Sequence, residues 1–303
     1  MKRIIYTLLF LAFSISMWGQ SESLFTHYMF NKLNYNPAYA GSKEVLDAGA
    51  IYRNQWWSGI DGAPKTLNVY AHLPFARLRN GAGISLIQDK IGLTKTFSLG
   101  LNYAYRIPLG KNNLAIGLNG RFENINQDWT QAETVSLTDN LINGSELANS
   151  TFNAGLGLYW TSTNYYLGLS VPRFLKNSLY QDSDEFSANV NSYYFMAGVI
   201  MPIAKNVKLY PNFMVSLNPN VPFEFDINAN LLFFDAIMLG ANYRYQDSID
   251  GLVQYQFSNG LRIGIAIDFT ASELAKVTTG SYEIMLGYTF PCEDCKILNL
   301  RYF

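Results

Sequence analysis

Catalytic and metal-binding chemistry turns most often on histidine and cysteine, and this sequence holds two of each. A serine hydrolase built on His72 needs an activated Ser within reach and an acid or amide to orient the ring. No motif around His72 supplies them. It lies on the polar parity of a run with strand periodicity, where it reads as a hydrogen-bonded residue rather than a base. The cysteines, Cys292 and Cys295, form a C-x-x-C in the tail "PCEDCKILNLRYF". Zinc needs about four ligands and no second pair exists. Thioredoxin-like redox chemistry needs a βαβ setting that nothing here predicts. In an oxidising compartment the pair predicts a small disulfide loop. The inventory offers no catalytic, cofactor-binding or metal-ligating set, and the chain reads as non-enzymatic.

The compartment follows from the first residues. "MKRIIYTLLFLAFSISMWGQ" has Lys2 and Arg3, an apolar run from Ile4 to Met17 and small or polar residues at Gly19 and Gln20, the layout of a secretory signal peptide over 1–19. Without Lys2 and Arg3 the balance is 20 Lys and Arg against 23 Asp and Glu, or −3. No basic surplus points to nucleic acid. Charged residues are only 15% of the chain, whereas there are 21 Tyr, 20 Phe and 23 Gly. That is sparse charge for a water-facing surface, yet no later apolar stretch approaches the roughly 20 residues of a membrane helix. A soluble all-β protein and a transmembrane β-barrel remain.

The elements that must position any site are strands. In "LRIGIAIDF", Leu261, Ile263, Ile265, Ile267 and Phe269 fall on one face and Arg262, Gly264, Ala266 and Asp268 on the other. "LAIGLNGRF" and "FEFDINANL" repeat the pattern. Similar runs begin near Val45, Thr66, Gly81, Thr96, Thr151, Tyr165, Asn191, Val207, Ala236, Gly251 and Ser281, about fourteen strands in all.

Three features favour the transmembrane antiparallel barrel of outer-membrane type over a sandwich. Connections after even strands read short, as in "PLGKNN", "TSTN" and "SNG", while those after odd strands include 53–65, 125–150, 173–190 and 270–280. "NPNVP" and "QDSID" are short exceptions. Apolar-face aromatics gather near strand ends, with Tyr103, Tyr105, Trp160, Tyr165, Phe257 and Phe290 by the short turns and Phe122, Tyr193, Tyr243, Tyr245, Phe269 and Tyr282 at the other end. A bilayer asks for two such girdles, because amphipathic rings prefer the headgroup level. Arg53, Arg106, Arg121, Arg244 and Arg262 all take the polar parity, and each would cost about 2–4 kcal/mol facing lipid near the midplane. The barrel is expected over 45–290.

Arg121, Glu224, Asp226, Arg244, Arg262 and Asp268 are then candidate lumen residues. Their mixed signs allow paired networks and a filled or narrow lumen. An open pore of this strand number is also geometrically allowed, with those residues setting selectivity for small solutes. A plug-coupled transporter is disfavoured, since no separate plug domain precedes the strands. Residues 20–44 read as a periplasmic segment that caps or enters the barrel mouth. Leu24, Phe25, Tyr28, Met29 and Leu33 would share one face of a short helix, ended at Asn36-Pro37. Residues 291–303 read as a periplasmic tail.

"HYMFNKLNYNPAYAGS", followed by "DAGAIYRNQWWSGIDGAPKTLNVYAHLPF" to Phe75, resembles the N-terminal signature of the PorP/SprF membrane proteins of the type IX secretion system in Bacteroidota. The Asn-Pro-Ala-Tyr-Ala-Gly core, the Arg-Asn-Gln-Trp run and the Gly-Ala-Pro-Lys-Thr turn carry that likeness. It implies an outer-membrane barrel, seated in lipid, that serves protein export or gliding through contacts with other secretion components. Those include periplasmic motor or peptidoglycan-binding proteins for a core component, and one large secreted adhesin for a client-specific accessory. On this resemblance Asn31, Asn36, Pro37, Tyr39, Gly41, Arg53, Asn54, Gln55 and Trp56 are candidate partner-binding residues.

Overall fold

The computed structural model describes residues 24–76, 79–128, 146–175, 191–219 and 223–290. Strand segments follow one another as β1 (Asp47–Asn54), β2 (Lys65–Phe75), β3 (Asn80–Ile91), β4 (Thr94–Leu109), β5 (Asn112–Asp128), β6 (Glu146–Thr161), β7 (Tyr165–Val171), β8 (Tyr193–Val199), β9 (Met201–Ala204), β10 (Val207–Leu217), β11 (Glu224–Phe233), β12 (Ile237–Arg244), β13 (Ser248–Gln256), β14 (Leu261–Thr270) and β15 (Ser281–Thr289). Each pairs antiparallel with its neighbour in sequence, except that β8 and β9 both pair with β10 and form one strand broken at Ile200. β15 returns to β1, with Asp47 opposite Thr289 and Asn54 opposite Tyr282. The result is a closed barrel of fourteen antiparallel strands. Closure leaves no unpaired sheet edge, which is the condition for a strand wall to cross hydrocarbon.

The register follows from which side chains tolerate lipid. Leu99 is opposite Phe122, Leu101 opposite Gly120 and Tyr103 opposite Leu118 across β4 and β5. Leu101, Leu118, Ile265 and Leu286 face outward and are about half exposed, while Asn102, Asn119, Arg262 and Glu283 on the other parity are buried. A slip of one residue would turn Arg262 and Glu283 into lipid, so the polar face pins the pairing. The aromatics fall where expected. Tyr103, Tyr105, Tyr165, Phe257 and Phe290 ring the end with short turns, and Phe122, Tyr193, Tyr243, Tyr245 and Phe269 ring the opposite end, all of them exposed.

Strand starts agree with the sequence to within a few residues, the largest departure being β6, which begins at Glu146 rather than near Thr151. One connection runs against loop parity beyond the two exceptions foreseen. β3 and β4 are joined through Gly92 and Leu93 alone, with Gly92 at a positive φ of 56°. The ends that carry the connections 55–64 and 271–280 are taken as the outer face, and those with the tight turns as the inner face.

The larger finding lies inside. A fourteen-stranded wall encloses more space than its own side chains fill, and residues 24–44 occupy it. Phe25, Tyr28, Met29, Leu33, Tyr35, Ala38 and Tyr39 are at most 2% exposed. They form one hydrophobic cluster with wall residues Tyr70, Tyr159, Tyr166, Met196, Tyr210 and Met285. Expectation put residues 20–44 in the periplasm, capping or entering the mouth; the described part, 24–44, lies within the barrel. The expected short helix is also replaced, by turns and two 3-10 turns at Lys32–Asn34 and Pro37–Tyr39. The reason is that the wall competes for the backbone. Tyr70 donates to the Phe30 carbonyl, Arg121 to that of Asn34, Ser170 to that of Tyr35 and Arg106 to that of Ala40. Those acceptors are no longer reserved for a helix ladder. The expected signal peptide, the tail 291–303, and Cys292 and Cys295 lie outside the described residues.

Candidate functional site

The site is the contact between this segment and the lumen wall, and its geometry divides by height. The segment's first residues lie at the outer end. Glu283 on β15 accepts the backbone N–H groups of Thr26 at 2.6 Å and His27 at 3.0 Å, and its Oε2 is 2.8 Å from His27 Nδ1. The Thr26 hydroxyl donates to Asp268 Oδ1 at 2.7 Å. Arg53 Nη1 joins the two acids, 2.6 Å from Glu283 Oε1 and 2.6 Å from Asp268 Oδ2. Beside them Arg244 Nε is 3.0 Å from Asp226, and Asn242 donates to both Asp226 and Asp250. These strands bring the groups to one level through register alone, for Asp226 is opposite Arg244, Asp250 opposite Asp268, and Arg53 opposite Glu283.

The middle of the lumen is aromatic and amide-rich. Asn36 is the hub. Its side chain caps the 3-10 turn by accepting from Ala38 N–H at 2.9 Å, and its Nδ2 donates to the Leu158 carbonyl at 2.9 Å and that of Leu169 at 3.3 Å. Asn36-Pro37 thus ends one turn, starts the next and fastens both to β6 and β7. Asn31 Nδ2 donates to Asn68 Oδ1 on β2 at 2.9 Å. Lys32 Nζ sits 4.2 Å from the Tyr166 ring centroid and 5.2 Å from that of Tyr39, a cation–π arrangement in a dry setting. Tyr39 packs edge-on against Tyr159 and His72. Small residues in the wall give the backbone its room: a Cβ on Gly117 would stand 2.1 Å from the Ala38 nitrogen, and one on Gly81 2.0 Å from the Ala40 carbonyl oxygen.

The segment leaves at the inner end. Gly41 N–H donates to His72 Nδ1 at 3.0 Å, which assigns the ring proton of a neutral imidazole to Nε2, 3.7 Å from Asp47 Oδ2. Asp47 Oδ1 also receives Lys43 at 3.1 Å, Arg262 at 2.6 Å and the Thr289 hydroxyl at 2.5 Å. His72 is therefore a hydrogen-bonded lumen residue, as its parity implied. Glu44, with φ of 62°, then turns the chain into β1.

Every sequence candidate for the lumen faces inward. Asp226, Arg244, Arg262, Asp268 and Arg121 are buried, and Glu224 is half-buried near the outer rim. Among the partner-contact candidates, Asn31, Asn36, Pro37, Tyr39 and Gly41 are buried in the lumen, Arg53 holds Glu283 and Asp268, and Gln55 is buried. Asn54 and Trp56 are half-buried at the outer rim, where Asn54 donates to the Tyr282 hydroxyl and Trp56 N–H to Ser281. A partner reaches the first five only by entering the lumen or drawing the segment out. Wall residues that sequence reasoning passed over are Asn68, Tyr70, Tyr159 and Tyr166. Their signal was present in the polar parity of the strands, but a tyrosine there looks the same whether it meets water or a buried carbonyl.

Comparison with known proteins fixes the family. A model of the type IX secretion system membrane protein PorP/SprF family matches residues 18–288. The chain belongs to the PorP/SprF family. It is accordingly a membrane component of the type IX secretion system, with an outer-membrane type of barrel. No curated protein sequence matches it. Among solved structures, the outer membrane protein Omp33 of Acinetobacter baumannii aligns with a TM-score of 0.50 at 8% identity, covering 82% of this chain and 98% of that one. The Ralstonia pickettii toluene transporter TbuX aligns at 0.51 and 11%, over 85% and 92%. A Pseudomonas aeruginosa FadL homologue aligns at 0.51 and 9%, over 90% and 96%. At such identities the likeness is one of fold.

Proposed function

We propose that this PorP/SprF protein acts without catalysis, as an outer-membrane partner that supports export and surface attachment of proteins with C-terminal sorting domains, working through contacts rather than by conduction. The observation that supports this reading is the lumen, which residues 24–44 fill with side chains tied to β2, β4, β5, β6, β7, β14 and β15. A porin must keep water along its axis. Here that axis holds Tyr28, Leu33, Tyr35 and Tyr39, each at most 1% exposed. What such a barrel can offer a partner is its rims, and the inner end of the segment at Gly41–Leu46 is the part of it nearest the periplasm.

The test is deletion of the gene in its host, with a complemented strain as control and quantification of secreted and surface-attached proteins bearing sorting domains. Loss of the whole class indicates a core component. Loss of one large adhesin indicates a dedicated accessory. An unchanged secretome together with large steady conductance in planar bilayers sinks the proposal and leaves a solute channel.

A further inference from the structure

The outer ends of β2, β3 and β4 set three like charges side by side. Lys65 is directly opposite Lys90, and Lys90 directly opposite Lys95. All three share the parity of the outward residues Leu67, Ile84 and Leu101 on their strands, and all three are exposed. Residues so paired hold their Cβ atoms about 4.5–5.5 Å apart, where like charges repel. Uncharged amides flank the row, since Asn54 is opposite Lys65 and Asn126 opposite Lys95. The acid next to Lys90, Asp89, has the inward parity and receives the Thr66 hydroxyl. Among the described residues no carboxylate pairs with any of the three ammonium groups. The row therefore carries a cost within the wall that an anion outside it would relieve.

The same strands lead from that row into hydrocarbon. The next outward row is Leu67, Gln88 and Phe97, again directly opposite one another. Phe97 is 45% exposed and marks the headgroup level, where aromatic rings collect. Four residues along β2 and β3 from Lys65 and Lys90, or about 13 Å, Val69 and Leu86 border a groove of about 360 Å³ in the lipid-facing surface. Ala48, Ala50 and Ala71 line it, short side chains where β4 and β5 send Leu101 and Leu118 into lipid. We propose that Lys65, Lys90 and Lys95 bind a phosphorylated lipid of the outer leaflet, its phosphate on the lysine row and one acyl chain running past Leu67 to end in the groove over Ala50 and Ala71. An ammonium meets phosphate as a point charge with three rotatable donors, so three from adjacent strands can share one phosphate group. A free anion would satisfy the lysines but leave the groove unused. The lipid meets both and fastens the β2 to β4 side of the barrel to its leaflet.

The experiment uses the full-length barrel, purified and delipidated in a neutral detergent. Diphosphoryl lipid A is added over a concentration series, and bound lipid is counted by native mass spectrometry. The expected result is one lipid held in preference to its dephosphorylated form. Lys65→Gln, Lys90→Gln and Lys95→Gln combined should weaken binding about tenfold or more, the scale of lost charged hydrogen bonds. Lys111→Gln with Lys205→Gln, which removes exposed charge at inner turns, should leave it unchanged. Ala50→Leu with Ala71→Leu, which fills the groove, should weaken it about threefold or more. Binding by the triple lysine variant equal to the parent's overturns the proposal. So does displacement of the lipid by inorganic phosphate or polyglutamate at matched charge, which would assign the row to a free anion or an acidic polypeptide. Equal binding by the groove variant overturns the seat for the chain. Urea unfolding in the same detergent without lipid separates binding from construction. The triple variant should be at least as stable as the parent, because its repulsion is gone, and a lower midpoint would mean that the lysines serve the wall itself and would overturn the proposal. These readouts on purified protein are independent of the secretome.

Discussion

The two ends of the lumen hold the same segment by opposite means, and the difference separates what anchors it from what directs it. At the outer end two acids share one guanidinium, Glu283 also receives two amides from the segment and Asp268 the Thr26 hydroxyl, so each acid has several partners. At the inner end one acid, Asp47, receives Arg262, Lys43 and Thr289, with His72 beside it. Redundancy above and a single hub below predict unequal responses to the loss of one carboxylate. Buried ion pairs are weak evidence for net stability, because desolvation offsets most of the Coulomb gain, but breaking one strands a charge.

The largest expected effect comes from removing both ends together. Deleting residues 24–44 leaves Glu283, Asp268, Arg106 and Arg121 lining a space with no counterpart from the segment, and it exposes Tyr159, Tyr166 and Tyr210 to one another or to water. The expected outcome is loss of the heat-modifiable barrel from the outer membrane. A truncated chain that assembles normally and still excludes large antibiotics would show that the wall, not the segment, sets the fold.

The second effect sharpens the comparison directly. Asp47→Ala strands Arg262 and Lys43 and should cost about 3–5 kcal/mol, the range for breaking a buried pair. Glu283→Ala should cost less, since Arg53 keeps Asp268 at 2.6 Å and the Thr26 hydroxyl keeps its bond to the same acid. Urea unfolding in detergent, followed by tryptophan fluorescence, ranks the two. Equal midpoints, or a larger loss for Glu283→Ala, would remove the distinction between a redundant outer end and a single inner hub.

How much of this was legible in the sequence follows the same division. The wall was legible because its signal is local: Leu261, Ile263 and Ile265 alternate with Arg262, Gly264 and Ala266 whatever lies inside. The inward charges were legible for the same reason. What fills the lumen was not. Tyr28, Leu33 and Tyr39 have the types and spacing of a small amphipathic turn, and nothing in their pattern separates a surface that caps a mouth from one that a barrel closes around. The glycines held a hint, since Gly81, Gly117 and Gly157 recur on the inward parity where a strand has no need of them. The break between the runs beginning near Gly81 and Thr96 was placed, but not the tightness of the Gly92-Leu93 connection, which makes it a third short exception to loop parity.

Those glycines carry the smallest predicted effect. Gly117 faces the segment where a Cβ would lie 2.1 Å from the Ala38 nitrogen and 2.5 Å from the Pro37 carbonyl carbon, backbone atoms that cannot swing aside as a side-chain tip would. Gly251, on β13, has nothing within 4 Å of the equivalent position. Gly117→Ala should therefore cost about 1–3 kcal/mol by overpacking, whereas Gly251→Ala should be neutral or slightly favourable, since glycine in a strand interior carries an entropic penalty. Measured alone, the first variant does not say whether the segment or the strand is at fault. Combining it with the pair Pro37→Gly and Ala38→Gly, taken as one perturbation that frees the backbone opposite to shift away from the added Cβ, completes a double-mutant cycle. If Gly117 exists for the segment, part of the loss is recovered in the combined variant relative to the sum of its parts. Strict additivity would mean that Gly117 serves β5 itself, and that the close approach is incidental to how the barrel holds its core.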